Sequence, residues 1–148
     1  MLVEGQVTIH GSRGALWALI TDLENAAKFI RGIQDIQVVE KPPQGLVGLR
    51  WRETRELFGK PATVEKWITE AVENTSYATR AEEGGMVFLT TLRISEGEGA
   101  LTLTSSHETR PRGLGARIKA APLFLFKGVI RKAILQDLQD LKAALEGP

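Results

Sequence analysis

Ile130-Arg131-Lys132-Ala133-Ile134-Leu135-Gln136-Asp137-Leu138-Gln139-Asp140-Leu141-Lys142-Ala143-Ala144-Leu145 sets Ile130, Ile134, Leu138, Leu141 and Leu145 at spacings of four, four, three and four. That period is one apolar stripe along an α-helix, and the helical reading extends over Gly113–Glu146. The rest of the chain consists mostly of short alternating segments. No second helix of comparable length can cover the stripe, so the helix must lie across a sheet. Upstream, Pro122-Leu123-Phe124-Leu125-Phe126 is apolar on nearly all sides, more than one sheet contact needs. A sheet curled around such a helix encloses a cavity, and a small hydrophobic or amphipathic molecule is its expected occupant.

The segments before that helix predict one strand, two short helices and six further strands. Residues 3 to 9 alternate, with Val3, Gly5, Val7 and Ile9 on one face and Glu4, Gln6 and Thr8 on the other, as in a half-buried strand. Ser12 can cap a helix carrying Leu16, Trp17, Leu19 and Ile20, and Asp22 with Asn25 reads as the start of another ending near Ile30. Strands are predicted over Asp35–Lys41, Val47–Leu57, Ala62–Ala71, Ser76–Ala81, Met86–Ile94 and Ala100–Thr109. Their separators, such as Gly59-Lys60-Pro61 and Glu83-Gly84-Gly85, are turn chemistry. Connections this short imply an antiparallel meander.

At 148 residues and 43% apolar, the chain is expected to form a single domain over residues 1–148. The absence of cysteine excludes disulfides, thiolate nucleophiles and Cys-ligated zinc. Met1-Leu2-Val3-Glu4-Gly5-Gln6 lacks the build of a signal peptide, and no apolar run approaches the roughly 18 residues of a membrane span, so a cytoplasmic location is expected. The net charge of +1 hides an asymmetry. Arg110, Arg112, Arg117, Lys119, Lys127, Arg131 and Lys132 lie in an acid-free stretch, leaving 12 bases against 18 acids elsewhere. This basic segment reads either as a solvated edge or as a surface attracted to an anionic ligand or membrane.

The order of elements resembles the START-like, helix-grip superfamily, also called SRPBCC. Local patterns agree: Ile20-Thr21-Asp22-Leu23-Glu24-Asn25 with Phe29-Ile30-Arg31-Gly32-Ile33, then Gly45-Leu46-Val47-Gly48-Leu49-Arg50-Trp51, Trp67-Ile68-Thr69-Glu70, and the terminal Leu138 to Glu146. They are most similar to the bacterial polyketide cyclase/dehydrase-like branch. The resemblance implies an α+β helix-grip fold, a seven-stranded antiparallel sheet curved around the long C-terminal helix, with two short helices after the first strand. These motifs are structural, so the resemblance speaks to the fold more than to chemistry.

Strand parity selects the residues that would line the cavity. On Val47–Leu57, Leu49, Trp51, Glu53 and Arg55 share the inner face. Burying Glu53 and Arg55 costs several kcal/mol per ion, on the order given for unpaired charges, unless they are paired; the alternative is a solvated strand end. On Met86–Ile94 the inner set is Met86, Phe88, Thr90, Leu92 and Ile94. On Ala100–Thr109 it is Leu101, Leu103, Ser105 and His107. Strand Ala62–Ala71 offers either Ile68 or Trp67 as its inner face; the resemblance favours Ile68, which brings Lys66 toward Glu53, while ring size favours Trp67.

The candidate ligand-binding residues are therefore Leu49, Trp51, Glu53, Arg55, Lys66 and Phe88, with Thr90, Leu103, Ser105 and His107 from the last two strands. Phe124, Leu125 and Phe126 are the candidate gate. Glu53, Arg55, Lys66, His107 and Ser105 would orient a polar end, and Arg55 would hold an anionic amphiphile by a charge-assisted hydrogen bond. His107 is a candidate general acid or base in an alternative reading as a polyketide cyclase or dehydratase. A third reading is lipid transfer at a membrane surface. No metal-ligand spacing, dinucleotide fingerprint, P-loop or nucleic-acid motif occurs, so no cofactor, metal or nucleic-acid partner is expected. Nothing in the sequence sets the oligomeric state or names the ligand.

Overall fold

The computed structural model describes residues 1–113, 115 and 125–147. It begins with strand β1 (Leu2–Ile9), helix α1 (Arg13–Ile20) and a 3-10 helix (Leu23–Lys28). Strands β2 (Ile33–Glu40), β3 (Arg50–Leu57), β4 (Lys60–Val72), β5 (Ser76–Glu83), β6 (Met86–Gly97) and β7 (Ala100–Pro111) follow, then helix α2 (Lys127–Glu146). The seven strands form one antiparallel sheet in the order β1-β7-β6-β5-β4-β3-β2. The α+β helix-grip architecture expected from the sequence is present, with the short helices between the two edge strands.

The alternation of β1 is realised as expected: Val3, Val7 and Ile9 are buried and their neighbours exposed. Helix α2 packs chiefly on this strand. A Cβ at Gly5 would stand 3.0 Å from Ile134 Cγ2 and 3.1 Å from Leu135 Cδ2, so glycine lets the helix approach the edge strand closely. Ile134, Leu138 and Leu141 are buried against the sheet. Complete burial of Leu138 contributes about 1.5–3 kcal/mol. Ser12 caps α1 by accepting the Ala15 N–H at 3.1 Å.

Some boundaries differ from the sequence reading. β3 starts at Arg50 rather than Val47, because Gly48 has φ 96 and the Leu49 N–H closes a turn onto the Leu46 carbonyl. The segment expected to be a second α-helix is a 3-10 helix. Asp22 does not cap it; its carboxylate accepts instead from Asn25 Nδ2 at 3.0 and 3.1 Å. Of the helix expected over Gly113–Glu146, residues 114 and 116–124 lie outside the described residues. Among the described residues, no helix is long and apolar enough to cross a membrane.

Candidate functional site

The concave face of the sheet, α2 and the 3-10 segment enclose a cavity of about 100 Å³. Its apolar wall comes from Ile134, Leu138 and Leu141 of α2 and from Leu23, Ala26 and Phe29 opposite. Its floor is set by strand parity, with Trp51, Glu53 and Arg55 alternating inward from β3 and Lys66 from β4. Thr79 of β5, Thr90 of β6, and Ser105 and His107 of β7 complete the polar side.

A linear ion-pair network crosses one end of this space. Glu53, 7% exposed, accepts from Arg55 Nε at 2.7 Å, Lys66 Nζ at 3.0 Å and Trp51 Nε1 at 3.4 Å. Arg55 then makes a bidentate pair with Asp137 of α2, at 3.1 and 2.8 Å, tying the sheet to the helix. Gly32 fits beside this pair, since a Cβ there would lie 3.0 Å from Arg55 Nη1 and 3.4 Å from Asp137 Oδ1.

Burial alone would push the Glu53 carboxyl up, but the charges of Lys66 and Arg55 and their hydrogen bonds outweigh it and hold it down to about 2. For Arg55, burial works against the charged form, while hydrogen bonds and charge from Asp137 and Glu53 raise its pKa further. Glu53 and Arg55 are therefore both charged at neutral pH.

His107 stands beside the network. Its Nε2 is 3.0 Å from Ser105 Oγ and its Nδ1 3.5 Å from Thr90 Oγ1. Burial, then the nearby charges of Lys66 and Arg55, depress its pKa to about 4 against a partial opposing pull from Glu53. At neutral pH it is an uncharged imidazole, able to donate at one nitrogen and accept at the other. Tyr77, also lining the cavity, donates to the Ile20 carbonyl at 3.0 Å, and burial followed by the Glu53 charge pushes its phenol pKa up.

Trp51, Glu53, Arg55, Lys66, Thr90, Ser105 and His107 come together around the cavity, whereas Leu49, Phe88, Leu103, Leu125 and Phe126 do not line it. Leu103 is fully buried in the core, and Leu49 packs against that core from the edge of β3. Phe88 has inner parity but is 37% exposed; Val87, its neighbour on the opposite face, is buried where β6 pairs with Glu82 and Arg110. Leu125 is exposed, and Phe126 meets exposed Phe58 edge-on at 5.9 Å, away from the cavity lining. Phe124 lies outside the described residues.

The ambiguity on β4 resolves with Ile68 buried and Lys66 on Glu53, while the outward Trp67 ring carries the Arg50 guanidinium at 4.3 Å. Sequence reasoning missed Asp137, Tyr77 and Thr79. Asp137 follows Ile134 by three and precedes Leu141 by four, which places it on the buried side of the stripe. Tyr77 and Thr79 alternate with Ala81, a pattern with weaker apolar contrast.

The chain is similar in fold to Ara h 8.0201, at 18% identity and a TM-score of 0.73, covering 100% of this chain and 99% of that one. It is also similar to the Zhui aromatase/cyclase from a Streptomyces species, at 15% identity and a TM-score of 0.76, over 99% and 93% of the two chains. A third similar structure is the major latex-like protein 151 of Panax ginseng, at 14% identity and a TM-score of 0.76, over 99% and 97%. At such identities the likeness is one of fold. A search of curated proteins finds no match. The sequence model of one family, described as polyketide cyclase / dehydrase and lipid transport, matches residues 2–146, and with its helix-grip sheet and enclosed cavity this chain belongs to that family.

Proposed function

We propose that the protein binds a small amphipathic molecule in the cavity between α2 and the concave sheet. The apolar part would lie against Leu138 and Phe29 and the polar end near Ser105 and His107. The observation that carries this reading is a partly enclosed space with an apolar wall on one side and hydrogen-bonding side chains on the other. Its volume of about 100 Å³ is below the ~300–1,000 Å³ of pockets for larger ligands. The reading therefore favours a single ring or short chain unless the walls part.

The alternative of a cyclase or dehydratase draws less support. A general acid or base works best with a pKa near the working pH, whereas Glu53 sits at about 2 and His107 at about 4. Both are tuned to hold one protonation state rather than to exchange protons.

Trp51 supplies the test. In a Trp17→Phe/Trp67→Phe background it is the sole indole, and para-ethylphenol should change its emission with one-to-one saturation. Leu92→Phe, which fills the cavity, should abolish that change, and His10→Ala, at an exposed position just after β1, should leave it intact. Saturable binding that survives Leu92→Phe, in variants with native near-ultraviolet circular dichroism, would place the ligand elsewhere.

A further inference from the structure

The charges that line the cavity already satisfy one another. Of the two cations, Lys66 is held by Glu53, and Arg55 directs three of its five N–H groups to Glu53 and Asp137. Within this network two cations face two carboxylates. Asp22, at the exposed margin of the lining, adds a third carboxylate and no cation. The sequence-based expectation that Arg55 grips an anionic amphiphile is therefore not favoured, because Glu53 and Asp137 already offset the charges of Arg55 and Lys66 and an incoming carboxylate would meet no net positive charge. An incoming ammonium would meet carboxylates whose charges Lys66 and Arg55 already offset.

The groups left to meet a ligand are neutral. Thr79 is buried, 6% exposed, and its hydroxyl has no hydrogen-bond partner among the described residues. Among the described residues every fully enclosed polar side-chain atom has a partner, so this hydroxyl faces the cavity space that Thr79 lines. Open to that space, the hydroxyl can bond to water or to a ligand group that takes the water's place. Thr90, Ser105 and the uncharged His107 ring lie along the same side and can each donate or accept.

We infer that the cavity selects an uncharged polar head that both donates and accepts hydrogen bonds, such as a phenol, alcohol or enol, and rejects carboxylates and ammonium ions of the same shape. This selectivity rests on the ligand-binding reading above. It comes from an internally neutralised ion-pair network, which offers a charged ligand no uncompensated charge in the cavity interior to offset the cost of desolvating it.

Isothermal titration calorimetry at neutral pH with para-ethylphenol, para-ethylbenzoate ion and para-ethylbenzylammonium tests it. The phenol should bind about tenfold or more tightly than either ion. Asp137→Asn gives the network a net positive charge and should raise benzoate affinity relative to phenol by about tenfold. Glu73→Gln, which removes the same charge from the exposed β4–β5 turn, should leave the ratio unchanged. Benzoate or ammonium binding as tightly as the phenol to the unaltered protein overturns the charge selection alone. So does an Asp137→Asn ratio equal to that of the unaltered protein. Binding of none of the three overturns the ligand-binding reading itself.

Discussion

Glu53→Gln is expected to lower stability by about 3–5 kcal/mol in urea unfolding at neutral pH, the usual cost of removing one partner from a buried ion pair. The carboxylate is 7% exposed and holds Lys66, Arg55 and the Trp51 indole together. Its loss leaves Lys66 beside Arg55 with nothing between two positive charges. The double variant Glu53→Met/Lys66→Met should recover most of the deficit, since it removes both charges and leaves Arg55 its bidentate pair with Asp137. A single variant within about half a kcal/mol of the parent would mean that the network contributes nothing through burial.

Acid sensitivity should divide into two windows. His107 is depressed from its ordinary 6.5 to about 4, so between those values the unfolded chain binds a proton that the folded one refuses. Stability therefore falls as pH drops through this range, and below about 4 the residue contributes no further loss. Glu53 is depressed from 4.5 to about 2, so the stability its charged form supplies is lost only as pH falls from 4.5 toward 2. Between pH 6.5 and 4.5 the decline then reports His107, and should amount to about 2–3 kcal/mol. His107→Gln should flatten the profile there and leave the steeper loss at lower pH. A profile unchanged by His107→Gln would show that the imidazole is solvated in both states.

The fold was legible because its signals are periodic. The stripe from Ile130 to Leu145 has one partner available in a strand-rich chain, and the clean alternation of Val3, Val7 and Ile9 fixes the face that receives it. Parity also found Trp51, Glu53, Arg55 and Lys66, because period-two geometry determines which side chains share a face. It does not determine partners from distant elements. Asp137 meets Arg55 across 82 residues of sequence, and without it Arg55 reads as a cation awaiting an anion. The size of Trp67 kept the face of β4 open in the sequence, and its ring finds cover from Arg50 on the outer face rather than from the core. Phe88 has the right parity but lies half-exposed, a matter of where along a strand the helix passes rather than of pattern.

The ionic network also bears on why such a site persists in an otherwise apolar core. A set of well-packed apolar residues could be at least as stable as these ion pairs. What they add is geometry: Arg55 joins β3 to α2, and Lys66 and Glu53 fix the polar end of the cavity beside His107. That end is thereby held in one arrangement before any ligand arrives, which lowers the ordering cost of binding.

Methyl-selective NMR during titration with para-ethylphenol tests the central claim most directly. Saturable shifts are expected at Ile134, Leu138, Leu92 and Leu23, which line the cavity, with Leu2, Val39 and Val72 on the exterior unmoved. Shifts confined to the exposed Leu57, Leu125 and Val129, with the cavity methyls silent, would contradict it.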